Sequence, residues 1–140
     1  MAKTVKAELK VASTDMDPAG LVYFGSYLYF LARAEDDFFC HIGHPVSELE
    51  SELNIKLFRR EIHCQYRNAA RYGDYLEASI WLSKLSRSSL TYQFQISRRG
   101  EATVSAEGYV TLVPLSRPSL EAVEMPPQLL NTMEAVMSSS

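Results

Sequence analysis

The chain has 140 residues, 46% hydrophobic and 22% charged, which suits one soluble globular domain around one core. A net charge of -3 supplies no basic face for nucleic acid, and no apolar run is long enough to span a bilayer. Cys40 and Cys64 lie in no Cys-x-x-Cys or Cys/His metal spacing, and the opening MAKTVKAELKV has no continuous apolar signal region. The sequence therefore reads as cytoplasmic, with both thiols reduced.

Val5, Ala7, Leu9 and Val11 alternate with charged residues, which predicts a half-buried strand. Thr14 to Gly20 reads as a loop interrupted by Pro18 and Gly20. A helix is predicted from Ser26, a residue type suited to an N-cap, to about Cys40. Its first half, Tyr27 to Leu31, is apolar all round, which predicts enclosure; its second half turns polar through Arg33, Glu35, Asp36 and Asp37. A short polar segment follows the Gly43-His44-Pro45 break. Leu53, Ile55 and Leu57 alternate in odd phase but Ile62, Cys64 and Tyr66 in even phase, so a bulge is expected near Phe58 to Arg60. Three strands come next, carrying Leu76 to Leu82, Leu90 to Ile96 and Ala102 to Leu112 in alternation, with a hairpin at Arg99-Gly100. Residues 1–114 read as the core and 115–140 as an irregular tail, with a short amphipathic helix near 128–137. The order is a strand, a buried helix and four strands in meander. It predicts a single α+β domain, 1–140, in which a curved five-stranded antiparallel sheet wraps one long helix.

One stretch carries chemistry. TDMDPAGLVYFGSYLYF, Thr14 to Phe30, places two carboxylates and a Pro-Ala-Gly turn directly before the most apolar helix. A carboxylate there is costly unless it is hydrogen-bonded, paired or used. Read alone, Asp15 and Asp17 cap a turn, as Asx residues often do. The stretch resembles the signature of the 4-hydroxybenzoyl-CoA thioesterase family of hotdog-fold proteins, continuously from Asp15 through Tyr27. The segment CQYRNAARYGDYLEA, Cys64 to Ala78, resembles the family's strand, turn and Gly-Asp entry to the next strand.

The resemblance implies that Asp17 is the catalytic carboxylate, as nucleophile or as the base that activates water. Asp15 stays structural, bonded to the loop backbone. The resemblance further implies that the backbone amide of Phe24 or Gly25, at the helix N-terminus, stabilises the thioester oxygen as it gains charge. Many relatives carry His-Val-Asn or Asn-Tyr near the helix entry, where this chain has Leu21-Val22-Tyr23 and Ser26-Tyr27. This tyrosine-rich entry resembles the aromatic-CoA branch, with Tyr23, Tyr27, Tyr66 and Tyr92 as candidate walls of the acyl pocket. Lys84, Arg87, Ser88 and Ser89 occupy the turn that meets the nucleotide end of coenzyme A in the family, although a solvated hairpin is an equal reading of those residues. Arg59-Arg60 and Arg98-Arg99 read as solvated pairs. His41, His44 and His63 have no metal-ligand spacing, so no metal and no cofactor is expected. No Gly-x-Ser-x-Gly elbow or phosphate-binding glycine loop occurs.

The expected activity is hydrolysis of an aromatic or otherwise bulky acyl-CoA to free acid and thiol. Its rivals are an acyl-carrier-protein thioesterase of polyketide or fatty-acid biosynthesis and a non-hydrolytic acyl-binding module. The resemblance implies a homodimer at minimum and a homotetramer beyond it, with no nucleic-acid or membrane partner.

Overall fold

The structure, a computed structural model, describes residues 4–138. Strand β1 (Thr4–Lys10) turns Val5, Ala7 and Leu9 inward. A 3-10 turn at Ser13–Asp15 leads towards helix α1 (Ser26–His41), which is followed by the short α2 (Val46–Ser51). Strands β2 (Ile55–Tyr66), β3 (Tyr75–Leu85), β4 (Leu90–Arg98) and β5 (Val104–Ser116) come next, and α3 (Pro127–Ser138) is last. The five strands form one sheet in the order β1-β3-β4-β5-β2, every pair antiparallel. Helix α1 packs against β1 and β3. This is the α+β arrangement expected of a hotdog domain.

Period-two alternation builds the core. Leu76, Ala78, Ile80 and Leu82 of β3 and Leu90, Tyr92, Phe94 and Ile96 of β4 are all buried on the inner face. They meet the helical stripe of Tyr27, Phe30, Leu31, Ala34, Phe38 and Phe39. Each large apolar side chain so buried contributes about 1.5–3 kcal/mol relative to its exposed state. The expected bulge in β2 is present, with the register shifting between Arg59 and Glu61. Opposite Cys64 on β5 sits Gly108, where a Cβ would lie only 1.8 Å from the carbonyl oxygen of His63. Only glycine permits that approach of the two backbones.

Four expectations are corrected. The strands do not run in simple meander: β2 pairs with β5, from Ile55↔Ser116 to Tyr66↔Ala106, and β1 lies beside β3. Sequence order does not fix strand neighbours, and the largely exposed β2 suits an edge. The connection through residues 67–74 therefore crosses the entry of α1, where buried Ala70 accepts a hydrogen bond from the Val22 amide at 3.1 Å. Secondly, α1 is not enclosed all round, because Leu28 and Tyr29 are 45% and 73% exposed. Thirdly, Glu35 does not join the polar side of α1 but is buried. Lastly, residues 115–138 are more regular than the tail expected, and the short helix expected near 128–137 is present. They complete β5 and form α3, whose Leu129, Met133 and Val136 are buried against the core that includes β3. The His44 imidazole and the Thr132 hydroxyl, 2.9 Å apart, tie α3 to the segment after α1.

Because Leu129 is completely buried, Leu129→Ala should destabilise the domain by about 2–5 kcal/mol, as large-to-small changes in a packed core do. A denaturant titration showing an unchanged midpoint would mean that α3 is a dispensable appendage.

Candidate active site

The aspartate loop is a small hairpin. Met16 and Val22 form a bridge, the Asp17 amide donates to the Leu21 carbonyl at 2.7 Å, and Gly20 turns the chain with φ 83°. The Asp17 carboxylate closes this turn: its Oδ1 accepts from the amides of Ala19 at 2.9 Å and Leu21 at 3.1 Å. Its Oδ2 takes no hydrogen bond among the described residues. Asp15 acts on both sides of the hairpin. Its Oδ2 accepts from the Ala12 amide at 2.8 Å, and its carbonyl accepts from the Tyr23 amide and the Ser26 hydroxyl. Asp15 is thus bonded to loop backbone, as expected, and it anchors the first residue of α1.

The N-cap is Gly25, not Ser26, whose hydroxyl is spent on the Asp15 carbonyl. The amides of Phe24 and Gly25, at the N-cap and just before it, donate to no acceptor among the described residues, while the amide of Ser26, first in the helix, donates to the Tyr23 carbonyl at 2.9 Å. A Cβ on Gly25 would stand 2.6 Å from the Tyr23 ring, so glycine here lets that ring lie over the helix entry. Tyr66, from the end of β2, donates its hydroxyl to the Phe24 carbonyl at 2.9 Å. Its ring stands edge-on to Tyr27, 5.3 Å between centroids. Desolvation, then the neighbouring Cys64 thiol, pushes the Tyr66 hydroxyl up to about 12, so it remains a donor near neutrality.

From this entry an open groove of about 480 Å³ runs between α1 and β2. Tyr23, Gly25, Leu28, Tyr29, Leu31, Ala32, Arg59 and Ile62 line it, and Arg59 is the one charged residue among them. Of the residues expected at the site, Tyr23 and Gly25 line the groove, and Tyr66 is bonded to Phe24 at its entry. Asp17 is not part of the lining; it sits in the hairpin whose second arm runs directly into that entry. Two tyrosines are core rather than wall. Tyr27 is 4% exposed, and Tyr92 is 1% exposed and points to the middle of α1. Lys84 and Ser89 line a separate open hollow of about 550 Å³ with Arg60, Ser86, Thr91 and Tyr109. It lies on the sheet face opposite the buried alternation of β4. Arg87 and Ser88 are exposed and outside that lining. Ser86, overlooked in the sequence, organises this turn by accepting from the amides of Ser88 and Ser89.

Sequence reasoning also missed a buried ionic cluster. Glu35 lies on the sheet side of α1 and accepts from the Tyr92 hydroxyl at 2.5 Å. Arg59 reaches the same carboxylate with Nη2 to Oε1 at 2.6 Å and Nε to Oε2 at 3.3 Å. Arg59 is 42% exposed, as a solvated arginine would be, but its guanidinium is also ion-paired with the buried Glu35. Arg98 and Arg99 are likewise paired, with Asp74 and Glu8. Burial raises the Glu35 pKa, opposed by the Tyr92 hydrogen bond and the Arg59 charge, while burial and Glu35 push the Tyr92 hydroxyl strongly upward. One signal was available: Glu35 stands four residues after Leu31 and three before Phe38, on the apolar stripe. Among the described residues no cluster of His, Cys, Asp or Glu could hold a metal ion, and no helix is long and apolar enough to cross a membrane.

Residues 11–133 match the model of the Thioesterase-like superfamily. The chain belongs to that superfamily. Thioester hydrolysis is the enzyme class this membership carries. Solved structures share the hotdog fold along nearly the whole thioesterase-like chain. A hypothetical protein from Thermus thermophilus is 22% identical, with 98% of this chain and 100% of that one covered at a TM-score of 0.89. A 1,4-dihydroxy-2-naphthoyl-CoA thioesterase from Synechocystis is 20% identical, covering 94% and 96% at 0.84. A DHNA-CoA thioesterase from Staphylococcus aureus is 17% identical, covering 95% and 90% at 0.88. No curated protein matches the sequence significantly.

Proposed function

We propose that this member of the superfamily hydrolyses an aromatic or otherwise bulky acyl-CoA to free acid and thiol, in the manner of the 4-hydroxybenzoyl-CoA thioesterases. The observation that carries this reading is the pair of unengaged amides, Phe24 and Gly25, where α1 begins and the apolar groove opens. A thioester carbonyl seated there has its oxygen against two N–H groups and the positive end of a 16-residue helix. The acyl group then lies along Tyr23, Leu28 and Ile62. Asp17 supplies the carboxylate. Its Oδ1 is immobilised by two amides, which leaves Oδ2 to attack the carbonyl carbon or to take a proton from an attacking water. In either route the thiol leaves with the coenzyme and the acid leaves with one water oxygen. An aromatic acyl group here is consistent with the structural likeness to a 1,4-dihydroxy-2-naphthoyl-CoA thioesterase. Free Cys40 and Cys64 suit a cytoplasmic setting.

Asp17→Asn tests the role of the carboxylate cleanly, because the amide oxygen can still accept from Ala19 and Leu21 and hold the turn. Turnover of a CoA thioester should fall about a hundredfold or more with folding intact. Asp15→Asn should cost far less. Near-normal turnover in Asp17→Asn would sink the assignment, and a chain that binds acyl-CoA without hydrolysing it would be an acyl-binding module.

We infer further that Lys84, Arg87, Ser88 and Ser89 hold the phosphates of the nucleotide. Arg87→Ala should then raise KM for a full CoA thioester more than for its pantetheine analogue. Equal effects on both would make this turn structural, and preference for an acyl carrier protein thioester over CoA would favour the carrier-protein reading.

The exposed apolar side chains Tyr23, Phe24, Leu28, Tyr29, Phe58, Ile62 and Tyr66 flank the groove along edge strand β2. We propose that a second copy covers them, giving a homodimer at minimum and a tetramer beyond it. Light scattering and assay across one dilution series should show activity disappearing with the dimer. A fully active monomer would overturn this.

A further inference from the structure

The cluster of Glu35, Arg59 and Tyr92 has no part in the hydrolysis just described. As a source of stability it is weak, since Glu35 loses its hydration on burial while Arg59, 42% exposed, pairs with it from a partly solvated position. Its position suggests another use. The seam between α1 and β2 holds two hollows, and Arg59 lines both. Towards the N-terminus of α1 lies the groove; towards its C-terminus lies a cavity of about 90 Å³ walled by Glu35, Phe39, Leu49 and Ile55. The Glu35–Arg59 pair stands between them as a partition.

A guanidinium carries five N–H donors in a fixed plane. Glu35 takes one from Nε and one from Nη2, and the other three have no acceptor among the described residues. The groove thus begins at amides that suit a thioester oxygen and ends at a residue with donors to spare. Between Gly25 and Ala32 the helix rises about 10 Å, room for one ring or two but not for a long chain while Arg59 stays in place.

We propose that Arg59, held by Glu35, is the end wall of the acyl groove and donates hydrogen bonds to an oxygen at the distal end of the acyl group. The substrate class is then an acyl thioester of ring size ending in a neutral acceptor, such as a hydroxyl. A distal carboxylate is disfavoured because Glu35 already balances the guanidinium charge. This proposal rests on the thioesterase reading above.

The test is kcat/KM of the full chain on benzoyl-CoA, 4-hydroxybenzoyl-CoA and 4-carboxybenzoyl-CoA. The wild type should favour the hydroxylated ring over the bare one by about tenfold, the worth of one good hydrogen bond. In Arg59→Met that ratio should fall to near one. Should the unpaired Glu35 prevent that variant from folding, Glu35→Gln/Arg59→Met carries no buried charge and the same expectation applies to it. Glu35→Gln alone leaves Arg59 without its counter-charge and should move preference about tenfold towards the carboxylated ring, which a purely structural pair would not do. Hydrolysis of these thioesters with no preference for the hydroxyl, or with a preference that survives loss of Arg59, overturns the role of Arg59 alone. Failure of the wild type to hydrolyse any CoA thioester overturns this inference together with the activity on which it rests.

Discussion

The burial of one stripe of α1 against a sheet that covers only that side governs the rest of the molecule. Phe30, Phe38 and Phe39 are sealed into the core, while Leu28 and Tyr29 on the same helix remain open to solvent. A helix this apolar would ordinarily be enclosed. Here its uncovered flank and the edge strand β2 make the two walls of a groove. The same asymmetry leaves the amides of Phe24 and Gly25 accessible, because the hairpin from Asp15 to Tyr23 binds the helix through the Asp15 carbonyl, which takes the Ser26 hydroxyl, and the Tyr23 carbonyl, which takes the Ser26 amide. Packing thus sets one constraint: the helix is held firmly while the Phe24 and Gly25 amides stay unconsumed.

How much of this the sequence discloses depends on the range of the interactions involved. Local patterns were readable. The alternation of β3 and β4, the phase slip that becomes the Arg59/Glu61 bulge and the extent of α1 all follow from spacing within a few residues. The Asp-Pro-Ala-Gly turn pointed to the helix entry for the same reason. What stayed hidden is contact between residues distant in the chain. Nothing in β2 announces that its partner is β5, nor does Tyr92 reveal that its hydroxyl meets Glu35 across 57 positions. Tyr92 and Tyr27 were read as pocket wall because tyrosine suits both a wall and a core; only burial separates them. Arg59 reads as solvated because half of each edge strand faces water, and it does remain 42% exposed; what spacing alone does not disclose is that its guanidinium meets Glu35 on α1.

The ionic cluster shows where the fold departs from the arrangement that packing alone would select. A carboxylate on the core side of a helix raises its own pKa by desolvation, and a tyrosine hydroxyl and a guanidinium are required to offset that penalty. Neighbouring stripe positions are filled by phenylalanine and alanine, so an apolar residue at position 35 would satisfy every local rule. A departure of this kind beside a groove is where local rules yield to longer-range contacts.

The connection that crosses from β2 over the helix entry also separates near contacts in the chain from distant ones. The β3–β4 and β4–β5 pairs join segments adjacent in the chain, whereas β1 with β3 and β2 with β5 close loops of some seventy and fifty residues, counted from their registers. Loop closure must be met before such distant contacts return anything. The two outer strands are thus the costliest in chain entropy to dock; β1 leads towards the aspartate hairpin, and β2 walls the groove. The central hairpins rest on near contacts in the chain, whereas the hairpin and groove depend on the distant ones. Faster amide exchange along the edge strand β2 than along the central β4 is what that arrangement entails.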